Sequence, residues 1–316
     1  MNKGHSDPKL LIIFLTYSGV YSGAEEKFIK LCRNLKTPKK MLIIRNDTET
    51  LPLQQINDWI YEMGGDNSVY EFSGWQKGID SEFTRSFDPD VYLFTASSLV
   101  QKKFYAMPIL TDEIIHYTIQ RKCMAGNKRE FPFDVAYNDW DMRQFISTHI
   151  FFLPKKIIKD IRTVVSETDP HKFIKKTAAG LVIDHPAWNK KFKKYIISTL
   201  TTKYHTKGKS FHPDQFPFFQ RKFLTIMNEI LLSARIKKLN YPLVDIVPFP
   251  KFLNSYYVIF TPSTTISIFQ FFRRISLEFI RKISCGRLGE RLGWKNAFEQ
   301  KCRKSVMDHL AGEKNK

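Results

Sequence analysis

The run Leu10–Leu15 constrains the fold more than any other feature of the chain. Six consecutive apolar residues without alternation do not suit a strand with one wet face, and the run ends at Thr16-Tyr17-Ser18-Gly19, too soon for a helix. It reads as a buried parallel strand, which needs a crossover connection to reach its neighbour. Ser22-Gly23-Ala24-Glu25-Glu26 opens such a connection, a helix with acids in its first turn that runs to about Leu35. Lys40–Arg45 is a second buried strand, ending in Asn46-Asp47-Thr48. The apolar start breaks at Thr16 and lacks the longer core and small-residue cleavage site of a signal peptide, so a strand is the better reading.

Further along, Leu53–Met63 has helical spacing and stops at Gly64-Gly65, Ser68–Phe72 is a short third strand, and Gly74–Phe83 is a helix. After the turn Asp88-Pro89-Asp90, Val91–Phe94 is a strand ending in Thr95-Ala96-Ser97-Ser98. Phe145–Leu153 is β-rich, Lys155–Val165 helical, and Phe219–Leu239 a helix with a core-facing apolar stripe. Alternating strands and helices predict an α/β fold: a mostly parallel, Rossmann-like sheet flanked by helices. The expected division is 1–140, 141–245 and a basic helical region 246–316.

Charge is unevenly distributed. The chain carries +19 overall, yet residues 1–140 hold 17 Lys+Arg against 18 Asp+Glu, and residues 141–316 hold 33 against 13. The back half should attract polyanions such as nucleic acid, anionic lipid or a phosphorylated carrier. In 266–294, Ile268, Phe272, Ile275, Phe279 and Ile283 recur every three or four residues among arginines, the pattern of a basic amphipathic helix that lies on an anionic membrane surface or packs on its own domain. No run of about 18 apolar residues predicts a spanning helix. The four cysteines have no CxxC spacing, which suits a reducing compartment and the cytoplasm.

In an open α/β sheet, ligands bind beyond the carboxyl ends of the strands. Here those ends are Thr16-Tyr17, Asn46-Asp47 and Thr95-Ala96-Ser97-Ser98. The dinucleotide G-x-G-x-x-G, the P-loop, the G-x-S-x-G elbow and H-E-x-x-H are all missing, so those chemistries lose their support. The segment from Gly65 to Asp80 combines small residues, acids, an Asn and aromatics between a loop and a helix.

These parts, in this order, resemble the GT-A glycosyltransferases of bacteria, especially the rhamnan-synthesis, O-antigen and capsule transferases. The resemblance spans roughly 10–245. In it Asp47 matches the acid that holds the nucleotide base, Asp66-Asn67 and Ser73-Gly74-Trp75…Gly78-Ile79 match the stretch before the metal strand, and Val91–Phe94 matches that strand. Phe145–Leu153 resembles the acceptor-side strand, and Phe223…Asn228-Glu229…Ser233-Ala234-Arg235 a late helix.

The resemblance implies a nucleotide-sugar donor, bound by Thr16, Tyr17, Asp47, Asp66, Asn67, Glu71, Ser73, Gly74, Trp75, Gly78, Thr95 and Ser97. It implies Mg or Mn at an acid pair, but Thr95-Ala96-Ser97 stands there, and hydroxyls are poor substitutes for carboxylates. Transfer without metal, an acid from elsewhere, or a catalytically silent scaffold are the open outcomes. Arg143, His149, Lys102, Glu229 and Arg235 are candidates for acceptor or phosphate contacts. Inversion at a sugar carbon requires a carboxylate base, and Tyr137-Asn138-Asp139-Trp140-Asp141 offers Asp139 or Asp141. The expected acceptor is a surface polysaccharide or a lipid-linked glycan at the inner membrane face, reached through 266–294. Nucleic-acid binding is the alternative the charge allows, without an RNP, zinc-finger or helix-turn-helix pattern.

Overall fold

The computed structural model describes residues 7–17, 23–98, 110–177, 180–203 and 213–246. The chain divides into two units, Met1–Val258 and Ile259–Lys316, and every described residue belongs to the first. The tail 266–294 and Lys102 lie outside the described residues.

Strand β1 (Leu10–Thr16) is buried along its whole length, which is why its sequence shows no alternation. It pairs in parallel with β2 (Lys39–Arg45) on one side and with β5 (Val91–Ala96) on the other, Thr16 lying opposite Arg45 and Leu15 opposite Ala96. β2 pairs in parallel with β4 (Ile60–Gly64), and the short β3 (Gln54–Asn57) closes that edge antiparallel. Beyond β5 comes the long β9 (Gln144–Pro154), antiparallel, then β6 (Met124–Glu130) and β12 (Leu243–Asp245). The eight-stranded order is β12-β6-β9-β5-β1-β2-β4-β3. It is the expected Rossmann-like, mostly parallel sheet. The order reverses at β1, whose sequence successors lie on one side and β5 on the other, and such a switch point is where open sheets leave room for a ligand.

Helices cover both faces. α1 (Ala24–Arg33) buries Phe28 against Phe14 of β1, ring centroids 4.9 Å apart. α2 (Glu71–Asp80) and α3 (Glu82–Phe87) lie on the face of Ile13 and Leu15. Gly78 is set so close to Ile13 that a Cβ would stand 3.0 Å from it. Trp75 of α2 is 1% exposed, edge-on to Phe72, Phe94 and Phe151, and its indole N–H donates to the Thr95 carbonyl at 3.3 Å. α4 (Asp112–Arg121) is joined to the loop after α1 by Asp112, which accepts from the Lys36 and Thr37 amides. α5 (Lys155–Ile161) follows β9, and α7 (Phe216–Lys238) runs between two cores, Leu224, Leu232 and Ile236 facing the sheet. Phe219, Phe223 and Met227 of α7 face a second core, with α6 (Lys190–Ser198) and the hairpin of β10 (Ile174–Thr177) and β11 (Gly180–Ile183).

Two local expectations are corrected. Leu53–Met63 is the hairpin β3–β4, not a helix. Asn57 turns the chain there: its side-chain oxygen accepts from the Trp59 and Ile60 amides, an Asx turn in the middle of the supposed helix. As a strand, the segment buries Glu62 beside Arg45 at 2.8 Å. Ser68–Phe72 is not a strand either: it is a turn leading into α2. Asn67 (φ 54°) and Tyr70 (φ 50°) take left-handed backbone angles that end extended structure.

Candidate functional site

The carboxyl ends of β1, β2, β4 and β5 come level at one edge of the sheet, joined by hydrogen bonds from the Asn46 amide to the Thr16 carbonyl (3.0 Å) and from the Gly65 amide to the Arg45 carbonyl (2.9 Å). Asn46, the first residue after β2, is the hub. It is fully buried, and its side-chain amide donates to the Tyr17 hydroxyl (3.2 Å), the Asn67 side-chain oxygen (3.0 Å) and the Tyr70 carbonyl (2.9 Å). Gly65 and Gly74 make room for it: a Cβ on either would stand 2.5 or 2.6 Å from the Asn46 side-chain oxygen.

The same network sets the aromatic residues of the edge. Tyr17 is half-buried, and that burial, with the Glu71 carboxylate nearby, drives its hydroxyl far above the ordinary tyrosine range, so it stays neutral. Tyr70 has φ 50° and ψ −129°, a strained combination for a bulky residue. Its carbonyl is held from two sides, by Asn46 and by the Ser73 hydroxyl (3.1 Å). Burial also raises the Tyr70 hydroxyl, against the opposing effect of Arg221. Asp66 accepts from the Ser68 amide at 3.0 Å. Burial pushes its carboxyl up, but that amide, the Ser73 and Ser68 hydroxyls and Lys77 outweigh burial and hold it below the usual range.

Among the described residues three buried acceptors at this edge lack a protein donor: the side-chain oxygen of Asn46, enclosed by Gly65 and Gly74, a carboxylate oxygen of Glu71, and the hydroxyl of Ser97, itself 1% exposed at the end of β5. Buried polar atoms are ordinarily paired, so atoms like these fit a ligand that brings hydroxyl groups.

Beside β5, the register of β9 breaks. Gly126 lies opposite Phe151 and Asn127 opposite Ser147, leaving Thr148–Ile150 unpaired with β6, a bulge of the kind that re-aims residues near binding sites. A Cβ on Gly126 would stand 2.4 Å from Ile146 and 3.0 Å from the Ile150 carbonyl. The freed Thr148 amide and hydroxyl both donate to Glu229 of α7, at 3.3 and 2.8 Å. Thr95 lies opposite Ile150 in the β5–β9 ladder. Glu229 thereby stands beside the bulge of β9, the strand next to β5.

Of the residues expected at a donor site, Thr16, Tyr17, Asp47, Asp66, Asn67, Glu71 and Ser97 meet at this edge. Asp47 is exposed there and acts on Tyr17 through its charge. Ser73 braces Tyr70 from within. Gly74, Trp75, Gly78 and Thr95 lie in the core beneath, Thr95 donating its hydroxyl to the His149 carbonyl at 2.9 Å. They shape the edge without forming its surface.

Asp139 and Asp141 sit elsewhere. They occupy the hairpin of β7 (Ala136–Tyr137) and β8 (Trp140–Asp141), exposed and paired with Lys238 and Lys237 at the end of α7. Tyr70 meets Arg221 and Lys222 near the start of that helix. At 1.5 Å per residue these anchors are about 24 Å apart. Arg143 is exposed and paired with Glu130 at 2.8 Å. Arg235 donates to the Ile161 and Val165 carbonyls (2.6 and 3.2 Å), which ties α7 to the end of α5.

The described residues of the site do not fit a divalent ion. Among the described residues no group of three His, Cys, Asp or Glu side chains is placed to hold a metal. The β5 end offers only hydroxyls, whereas Mg2+ and its analogues bind through carboxylates. Asn46, Tyr70, Arg221 and Lys222 were not singled out from the sequence. Asn46 had a signal, its place at a strand end, but the neighbouring Asp47 was the charged choice.

No protein-family profile matches the sequence, and no curated protein matches it. Among solved structures, a mannosyltransferase, PcManGT from Pyrobaculum calidifontis in complex with GDP-Man and Mn2+, aligns at 10% identity over 74% of this chain and 75% of that one, with a TM-score of 0.35. Similarity at that level decides nothing about the chemistry of this chain.

Proposed function

We propose that this protein is a glycosyltransferase that moves a sugar from a nucleotide-sugar donor to a surface polysaccharide or lipid-linked acceptor at the inner membrane face. The observation that carries the reading is that Glu71 and Ser97, at the switch-point edge beside Tyr17 and Tyr70, are two of the buried acceptors that have no donor among the described residues. A nucleotide sugar brings what that edge lacks: hydroxyl groups to donate, and rings to lie on aromatic faces.

Glu229 is the base in this reading. Its carboxylate takes the proton of the acceptor hydroxyl as that oxygen bonds the anomeric carbon, and the carbon–oxygen bond to the diphosphate breaks with its electron pair leaving on the diphosphate. The bonds from Thr148 fix the carboxylate's orientation. The excess of Lys and Arg over residues 141–316 supports docking on anionic lipid.

The test is thermal unfolding with UDP-, GDP- and dTDP-sugars in turn. A ligand at about 100 times its Kd adds about 2.7 kcal/mol, which should raise Tm by several degrees for one nucleotide class. If no nucleotide sugar shifts the transition, the proposal fails. Flotation with anionic vesicles, for the full chain and for one lacking 266–294, tests the membrane part: binding by the full chain that the deletion abolishes supports it, and no binding removes it.

A further inference from the structure

We infer that Arg221 and Lys222, gathered on the ring of Tyr70, bind the donor's diphosphate directly and take the role that a divalent cation would otherwise fill. The inference rests on the donor reading of the same edge and goes beyond it, by stating how the leaving group's charge is met.

A sugar diphosphate carries concentrated negative charge that grows as the glycosidic bond breaks, and something positive must meet it. The β5 end supplies hydroxyls, and among the described residues no carboxylate group is arranged for a metal. The positive charge near this edge comes from side chains. Arg221 and Lys222 are adjacent on α7 and so point about 100° apart around the helix, yet each brings its cationic group to 5.8 Å from the centroid of the Tyr70 ring. Two side chains that diverge from the helix and converge on one ring form an arranged pair. Tyr70 is held in its strained conformation by Asn46 and Ser73, so the ring that gathers the cations is fixed by the site's own network.

The opposite end of α7 provides the contrast. Lys237 and Lys238 are neutralised by Asp141 and Asp139. Among the described residues Arg221 pairs with no carboxylate. A planar guanidinium is suited to two oxygens of one phosphate, and the lysine beside it adds a point charge for the second. Glu71 follows Tyr70 in the chain and its charge acts on both Tyr17 and Tyr70; its carboxylate repels phosphate and accepts sugar hydroxyls instead.

The experiment is isothermal titration of the full chain with inorganic pyrophosphate, and separately with the nucleotide sugar that raises Tm most, each in EDTA and in Mn2+. Both ligands should bind in EDTA, with affinity falling as salt rises. The double variant Arg221→Ala/Lys222→Ala should weaken both by about tenfold or more. Lys237→Ala/Lys238→Ala, which removes the same charge at the far end of the helix, should leave binding unchanged. Circular dichroism shows that each variant is folded. If the nucleotide sugar binds only with Mn2+, or binds the Arg221/Lys222 variant as tightly as the parent, this inference is overturned while the donor reading stands. If pyrophosphate binds as described but no nucleotide sugar does, the anion site stands and the donor reading fails. If neither binds, both are wrong.

Discussion

The buried side-chain amide of Asn46 donates to the main-chain carbonyl of Tyr70 at 2.9 Å, tying the end of β2 to the strained residue that precedes α2. One hydrogen bond thus links the sheet to the residue on which the cations of α7 gather. The same amide reaches Tyr17 and Asn67, so a single group organises the ends of β1, β2 and β4.

Replacing that amide should be costly. Asn46→Asp removes the donor and sets a carboxylate against the Tyr70 carbonyl and the Asn67 oxygen without a counter-charge. The expected loss is about 3 kcal/mol or more, read as a lower urea midpoint at pH 7. Because burying the acid favours its protonated form, the deficit should shrink in mild acid. A loss below about 1 kcal/mol would mean that the amide is not the hub described here.

Two glycines on α2 should behave differently. A Cβ at Gly74 would meet Leu15 at 2.5 Å and Asn46 at 2.6 Å, and Gly74→Ala should destabilise by about 1–3 kcal/mol. At Gly78 the nearest atoms are the ends of the Ile13 side chain, at 3.0 and 3.2 Å. There the helix-propensity gain of about 1 kcal/mol from Gly to Ala offsets the crowding, and Gly78→Ala should be close to neutral. Equal effects in thermal unfolding would show that Gly74 is not set by Asn46.

Activity should depend on Glu229, near the middle of α7, rather than on the acids paired with the end of that helix. Glu229→Gln should lower sugar transfer by about 10²- to 10⁴-fold with donor affinity retained. Asp139→Asn and Asp141→Asn remove exposed, solvent-screened ion pairs, so they should change stability little and leave transfer near the parent rate. The reverse pattern in a radiolabelled-donor assay would return the base to the β7–β8 hairpin.

Stability should fall in acid partly through Asp112. Burial pushes its carboxyl up, but the Thr37 hydroxyl, the Lys36 and Thr37 amides and His116 together outweigh it, so its pKa is depressed in the folded chain. A depressed carboxyl contributes stability above its unfolded value of about 3.9 and loses that contribution as pH falls through the folded value. Asp112→Asn should therefore be less stable than the parent at pH 7, with the gap closing as the pH falls through the depressed folded value. Urea midpoints measured across pH check this, and a constant gap at every pH would refute it.

The sequence by itself determined the sheet and its wet edge. Unbroken apolar runs such as Leu10–Leu15 can be strands only where both faces are covered, so the central strands and the polar residues at their ends were legible without coordinates. Local pattern failed where a side chain competes with the backbone. Asn57 makes a turn inside a helical spacing, and Asn67 and Tyr70 turn an apparent strand into a helix entrance. Only the tertiary structure decided which polar residues meet. Asn46 outranks its charged neighbour because it is buried at the point where three strand ends converge. Trp75 belongs to the core because α2 turns it onto Phe94 and Phe151. Glu229 is held by Thr148 in the bulge of β9, while Asp139 and Asp141 pair with the end of α7. Hydrophobic periodicity records whether a residue is covered. Which residue covers it, and what stands beside it, depends on contacts between segments far apart in the chain.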